Sequence, residues 1–199
     1  MDNEKSEIRK MILQKRKLLQ AKEMKEYSEI ICSRLKENTA FSRANIVFAY
    51  VDTKNEVSTS KLLQDSINQG KTVCLPLSIE DSMELKFYRV FDLDKDLKKG
   101  NYGIFEPVPN PERLVLQEKA ELIIVPGVAF DLSLNRIGYG KGYYDSFLAK
   151  APESMLKIAL AYDFQLLESI PTGDNDIKMD MIITEKRIIT HPYPNDPKD

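Results

Sequence analysis

Short continuous apolar runs alternate with longer amphipathic stretches along this chain, and that alternation predicts strands separated by helices. Residues 1–38 place Ile8, Met11, Ile12 and Leu19 at helical spacing and contain no glycine or proline, so they read as helix. A break or bend falls near 20–24, and a second helical stretch, 28–36, puts Ile31 and Leu35 on one face. The pattern changes at 46–51, a short unbroken apolar run that predicts a strand buried on both faces. Residues 57–69 read as a helix stopped by Gly70, and 72–76 as a second buried strand. Met83, Leu85 and Phe87 alternate within 83–90, which predicts a half-exposed strand. Residues 92–119 are charged and carry Pro107, Pro109 and Pro111, so they read mostly as loop and turn. Further buried strands are expected at 122–126, 157–162 and 181–184, with an edge strand at 187–190. The Pro-rich tail, 191–199, is expected to be loosely ordered.

Together these elements predict an α/β fold in one domain over 1–190. Its three layers are a mainly parallel open sheet flanked by helices, with an N-terminal helical segment. In such folds ligands gather at the carboxyl ends of the strands.

Composition narrows the chemistry. With 42% apolar and 30% charged residues, the 199-residue chain buries a core without staples. Its 29 Lys and Arg against 31 Asp and Glu leave a net charge of −2, which argues against a nonspecific nucleic-acid binder. The lack of an apolar run of about 18 residues and the charged start MDNEKSEIRK predict no membrane partner and a cytoplasmic location. Only Cys32, Cys74 and His191 represent their residue types, so a disulfide scaffold, a zinc cluster and a histidine triad are not expected. If the chain is an enzyme, its chemistry runs on carboxylates, cations, backbone amides and a bound cofactor or nucleotide.

Glycine use points to where. Of 8 glycines, Gly138, Gly140 and Gly142 fall within five residues, after a buried strand and before a helix-like stretch. Such spacing frees backbone N–H groups to face one point, a nest suited to phosphate, and Arg136 and Lys141 add positive charge. The spacing matches neither a P-loop nor a dinucleotide fingerprint. A tight surface loop is the plain alternative, weighed against by Arg136, Tyr143, Tyr144 and Asp145. Asp145 and Asp180 are candidates for a phosphate-bound Mg²⁺; as plain alternatives, Asp145 is a helix N-terminal acid and Asp180 a solvated residue at a strand start. Lys5, Arg9 and Arg16, spaced by four and seven, share one helix face, and the stretch from Arg9 to Lys17 has five basic residues and no acid. That face is either solvated, the usual fate of a charge run, or a cationic clamp on a polyphosphate. Glu56 follows the first strand, placed either to hydrogen-bond a heterocycle or to cap a helix.

The segment RIGYGKGYYDSFL resembles the signature of the 5-formyltetrahydrofolate cyclo-ligase family. The resemblance extends to Lys5-x-x-Ile8-Arg9 with Arg16, Glu56-Val57, Tyr102-Gly103-Ile104 with Glu106-Pro107, and the run Val125 through Asp131. It continues through Ala159-Leu160-Ala161-Tyr162 with Gln165, Asp176, and Asp180-x-x-Ile183-Thr184. Asn175 and Ser146 depart from it, standing where the family often has a histidine and a basic residue. The resemblance implies an ATP-dependent, Mg²⁺-requiring closure of 5-formyltetrahydrofolate to 5,10-methenyltetrahydrofolate, with release of ADP and phosphate. It implies that Lys5, Arg9 and the run Arg136, Ile137, Gly138, Tyr139, Gly140, Lys141, Gly142, Tyr143 and Tyr144 bind ATP, with Arg136 and Tyr143 catalytic. It further implies that Val51, Glu56 and residues 139–143 face the reduced folate, and that Asp145 and Asp180 bind Mg²⁺. A monomer is the favoured state. The rival readings are another ATP- or phosphate-using enzyme on the same scaffold and a catalytically silent nucleotide or folate sensor.

Overall fold

In the computed structural model, residues 2–53, 55–100 and 103–190 are described; the 191–199 tail and Tyr102, both singled out above, lie outside the described residues. Three helices open the chain: α1 (Asp2–Leu18), α2 (Ala21–Glu37) and α3 (Thr39–Arg43). The break between α1 and α2 falls at Leu19–Gln20, where the Gln20 N–H donates to Glu23 Oε2 at 3.1 Å. Then β1 (Ile46–Phe48) leads through α4 (Ser60–Asn68) to β2 (Thr72–Ile79), which turns back into β3 (Glu84–Val90). The stretch expected as loop contains α5 (Leu93–Asp96), a hairpin of β4 (Leu97–Lys99) and β5 (Phe105–Pro107), and β6 (Leu114–Val115). These pieces are too short for their periodicity to register in the sequence. The remainder is β7 (Leu122–Val125), β8 (Ala129–Asp131), β9 (Arg136–Ile137), α6 (Tyr143–Leu148), β10 (Leu156–Leu160), β11 (Leu166–Leu167), β12 (Met181–Ile183) and β13 (Ile188–Thr190).

Eight strands form one sheet in the order β13-β12-β10-β7-β1-β2-β3-β6. Its middle, β12 through β2, is parallel, and antiparallel pairs close both edges. Alternate strand residues feed two cores. Val47, Leu122, Ile124, Ile158 and Leu160 pack with Ile31 and Leu35 of α2 on one face. Phe48, Ile123, Val125 and Ala159 pack with Phe147 and Leu148 of α6 on the other. The expected three-layer arrangement is therefore present, and its layers follow from the period of two in each buried strand.

A smaller sheet, β11-β8-β9, projects beyond β7, and Ile12 of α1 packs against its Ala129 and Ile137. That contact seats α1 over the lead-in to the glycine loop. Asp131, buried, accepts from the Ser133 and Asn135 N–H groups at 2.9 Å each and from the Ile170 N–H at 3.1 Å, which ties off the turn between β8 and β9.

Two boundaries differ from expectation for one reason. The strand expected over 46–51 ends at Phe48, and the helix expected from 57 starts at Ser60. Side chains take over the backbone groups between them. Thr59 Oγ1 donates to the Tyr50 carbonyl at 2.8 Å, and Asp52 Oδ1 accepts from the Thr59 N–H at 2.9 Å.

Gly127 sits where a β-carbon would lie 2.4 Å from Cζ of the fully buried Phe130 ring. Gly127→Ala is expected to destabilise the fold by about 1–3 kcal/mol through overpacking, read as a lowered urea midpoint with an unchanged slope. An unchanged midpoint would show that the ring has room to shift.

Candidate active site

The parallel strands β1 and β7 are neighbours, yet the chain leaves them in opposite directions: β2 lies beyond β1, and β10 beyond β7. Their carboxyl ends thus flank a topological switch point, where open α/β sheets form ligand crevices. From β1 comes the segment carrying Thr53 and Glu56; from β7 comes Pro126 and, after β8 and β9, the glycine loop. A cleft of about 600 Å³ lies there, lined by Lys5, Arg9, Thr53, Arg136 through Asp145, and Asp176.

The loop closes around Arg136, which is only 4% exposed. Its Nη2 donates to Asp145 Oδ1 at 2.6 Å and its Nη1 to the Pro126 carbonyl at 3.2 Å, and the guanidinium lies 5.9 Å from the Tyr144 ring centre. Arg136 Nε is buried without a hydrogen-bond partner among the described residues. A β-carbon at Gly138 would come within 2.8 Å of Nη1, so a larger residue there would displace the guanidinium. Gly140 and Gly142 hold positive φ values of 96° and 74°, the left-handed turns that aim the loop back over the cleft.

α1 lies along the other side. Arg9 Nε donates to the Gly138 carbonyl at 2.8 Å, and Lys5 Nζ donates to Asp176. Burial pushes the Asp176 carboxyl up, but the Lys5 hydrogen bond, the Gly173 N–H and the Lys5 and Arg136 charges outweigh it and hold the group below the usual carboxylate range. The basic run of α1 divides by face. Lys10, Lys15 and Lys17 are exposed, as the solvated reading expects, whereas Lys5 and Arg9 are half-buried in the cleft and Arg16 is fully buried.

Glu56, 8% exposed, lies beside this cleft, in the wall of an adjoining hollow of about 780 Å³ that shares Thr53 with it. Its Oε2 accepts from the Thr53 N–H at 2.9 Å and its Oε1 from the Tyr139 hydroxyl at 2.6 Å. Burial raises its pKa, opposed by the Arg16 charge, the Tyr139 hydroxyl and the Thr53 N–H. Tyr139 lines the cleft and is 37% exposed, while its hydroxyl reaches Glu56. Burial and the Glu56 charge push the Tyr139 phenol well above its ordinary value, so it stays a neutral donor. Tyr143, Lys141 and Ile137 line the same cleft. Val51 packs half-buried against the α2-side core, two residues before Thr53.

Asp180 is not part of this cleft. It sits at the amino-terminal start of β12, where it accepts from the Lys157 N–H at 2.8 Å and pairs with Lys157 Nζ at 2.8 Å. Parallel strands carry their ligands at the carboxyl ends, so this end of the sheet faces away from the glycine loop. The acid that joins Asp145 in the cleft is Asp176, whose only mark in the sequence was its place in the family pattern. Arg16, on the same helix face as Lys5 and Arg9, was legible as a neighbour but not as a buried group.

A glycine loop on one side of the switch point and a buried carboxylate on the other give this chain the layout of the open-sheet α/β class, whose members bind ligands at that crevice. The comparisons make the assignment specific. The sequence pattern of the 5-formyltetrahydrofolate cyclo-ligase family matches residues 1–185, and the chain belongs to that family. It is 34% identical over 172 residues to the Schizosaccharomyces pombe protein named "Probable 5-formyltetrahydrofolate cyclo-ligase", covering 80% of this chain and 84% of that one. It is 33% identical over 186 residues to the 5-formyltetrahydrofolate cyclo-ligase of Mycoplasma genitalium, covering 90% and 97%. The NMR structure of Aquifex aeolicus 5,10-methenyltetrahydrofolate synthetase superposes with a TM-score of 0.83 at 36% identity, over 98% of this chain and 95% of that one. Family and structural neighbours indicate 5-formyltetrahydrofolate cyclo-ligase activity. No helix among the described residues is long and apolar enough to cross a membrane.

Proposed function

We propose that this cleft closes 5-formyltetrahydrofolate to 5,10-methenyltetrahydrofolate at the expense of ATP. The observation that carries the reading is a buried arginine at the head of the glycine loop and a buried carboxylate, Glu56, joined to that same loop through the Tyr139 hydroxyl. Arg136, Lys5 and Arg9 supply the cations for a triphosphate, and the loop supplies backbone close to it. Glu56 and Tyr139 face the folate ring, a hydrogen-bonding and stacking surface.

A formamide oxygen is a poor leaving group. In the proposed sequence it attacks the γ-phosphorus of ATP, ADP departs, and an iminium phosphate results. The folate N10 then attacks the formyl carbon, N10 loses its proton, and phosphate leaves with the former formyl oxygen. The protein's work is positioning and charge stabilisation, so the scarcity of nucleophilic side chains fits. Formation of the near-ultraviolet methenyl band from 5-formyltetrahydrofolate only when ATP and Mg²⁺ are both present tests the reaction. Formyl ¹⁸O recovered in the released phosphate tests the intermediate; label recovered in water would sink it.

The donor set fits Mg²⁺. Two carboxylates, Asp145 and Asp176, share the cleft, and Mg²⁺ takes one or two carboxylates together with phosphate and water. Among the described residues no cluster of three or more acidic, His or Cys groups would hold a metal by itself. The ion supplies charge neutralisation on the phosphates; Asp145 and Asp176 would hold it. Asp145→Asn and Asp176→Asn are each expected to raise the Mg²⁺ concentration for half-maximal activity by about tenfold, the loss of one charged ligand, while Asp180→Asn leaves it unchanged. A Mg²⁺ titration in which Asp180→Asn alone shifts would return the site to the amino end of β12.

A further inference from the structure

Arg16 is 1% exposed, and a buried guanidinium needs a reason. It lies in the last turn of α1 and, among the described residues, reaches three acceptors that belong to two other segments. Nη2 donates to the Thr53 carbonyl at 3.2 Å, Nε to the Asn55 carbonyl at 3.3 Å, and Nη1 to the Tyr139 hydroxyl at 2.8 Å. Asn55, held at a left-handed φ of 59°, returns its Nδ2 to the Arg16 carbonyl at 3.1 Å.

Direction matters in this chain of bonds. An arginine has donors only, so the Tyr139 oxygen must accept from it. The single hydroxyl proton of Tyr139 is then turned toward Glu56 Oε1, 2.6 Å away. The same 53–56 turn that Arg16 grips by its carbonyls gives the Thr53 N–H to Glu56 Oε2. Each carboxylate oxygen thus has one protein donor and keeps lone pairs for a ligand.

We propose that Arg16 is a positioning residue for the ring closure: from α1 it ties the 53–56 turn to Tyr139 of the glycine loop, so that the Glu56 carboxylate and the loop meet the reduced folate in one fixed geometry. This rests on the reaction proposed above. The turn hangs from β1 and the loop from the β7 side, so Arg16 spans the switch point. The same helix carries Lys5 and Arg9 into the phosphate end of the cleft, so α1 aligns both halves of the site.

The groups facing Glu56 are Arg16 from α1, Tyr139 and Tyr144 from the loop and α6, Asp52 and Tyr50 from the β1 segment, and Tyr162 after β10, whose hydroxyl donates to the Glu56 carbonyl at 3.0 Å. Burial pushes the tyrosines up, so they stay neutral across the working range. Arg16 is the positive charge in this set, and Asp52 opposes it. Removing Arg16 therefore makes Glu56 harder to ionise, and a function that needs the carboxylate loses activity at a higher pH than before.

Arg16→Lys, Arg16→Met and Tyr139→Phe are compared with the wild type, with circular dichroism as the check on folding. Steady-state kinetics are run against each substrate across pH, and ATP affinity is measured separately by calorimetry. For both Arg16 variants the KM for 5-formyltetrahydrofolate is expected to rise about tenfold or more, with the ATP dissociation constant within about threefold of wild type. The acid limb of kcat/KM for the folate moves up in pH in Arg16→Met and stays near the wild-type position in Arg16→Lys, which keeps the charge. Combining Arg16→Lys with Tyr139→Phe costs less than the two single losses together, because both act through one chain of bonds. Equal losses for both substrates, or an acid limb that Arg16→Met leaves in place, would overturn the positioning role while the reaction stands. Absence of turnover in the wild type would overturn the reaction and this role with it. Should Arg16→Met fail to fold, the Arg16→Lys and Tyr139→Phe cycle decides alone: strict additivity overturns the proposal.

Discussion

Arg136→Ala is expected to lower kcat/KM for ATP by roughly 10- to 150-fold, the equivalent of one charge-assisted hydrogen bond of about 1.5–3 kcal/mol. The guanidinium is buried and already oriented by Asp145 and Pro126, so it engages a phosphate with little further ordering. Its Nε is buried and without a partner among the described residues. Asp145 also loses the cation it pairs with at 2.6 Å, so its placement in the cleft loosens with the loop. Arg136→Lys keeps the charge but not the fork that bonds Asp145 and Pro126 together, and is expected to recover only part of the rate. Initial rates against ATP at saturating folate, with the folate KM measured at saturating ATP, read the effect. ATP kinetics within about twofold of wild type would remove Arg136 from the nucleotide site.

Glu56→Gln is expected to raise the KM for 5-formyltetrahydrofolate about tenfold or more at neutral pH, because an amide replaces the carboxylate acceptor. Stability should move the other way. Burial places the folded-state pKa of Glu56 above the ordinary 4.5, so the fold favours the protonated form. Below 4.5 both folded and unfolded chains hold the proton, and Glu56 makes no pH-dependent contribution. As pH rises from 4.5 through the raised folded-state value, the unfolded chain releases the proton first and wild-type stability falls. The glutamine variant has no such titration. Its melting temperature relative to wild type should therefore climb across that window, while folate use declines. Thermal melts below and above the window, beside folate kinetics, separate the two effects. A relative melting temperature that falls as pH rises would show that the carboxylate, not the acid, is the form the fold prefers.

These two residues also show how differently parts of the site are written in the chain. The glycine spacing at 138, 140 and 142 and the arginine two residues before it are local signals, and the loop they imply is the loop found. Glu56 is marked by following a buried strand and by its place in the family pattern, and it does not cap the next helix, whose N-cap is Thr59. Asp180 shows the limit of local reading. In the sequence it and Asp176 are two acids four residues apart in one late segment. In the fold Asp176 meets Lys5 of α1 in the cleft, and Asp180 meets Lys157 at the far end of the sheet. Strand direction separates them, and direction is a property of the sheet.

The layers, the parallel core of the sheet, the α1–α2 break and the glycine loop were all determined by the amino-acid sequence itself. Each depends on periodicity or turn chemistry within a few residues, and such preferences act along the chain whatever lies across from it. The hairpin at 97–107, the small sheet beneath α1, the burial of Arg16 and the placing of Asp176 in the cleft and Asp180 at the far end of the sheet were decided only in the tertiary structure. In the case of Arg16, three acceptors from two segments, 37 to 123 residues away in the chain, must arrive together before a guanidinium is better buried than solvated. Until they do, Arg16 is one more cation in a basic run.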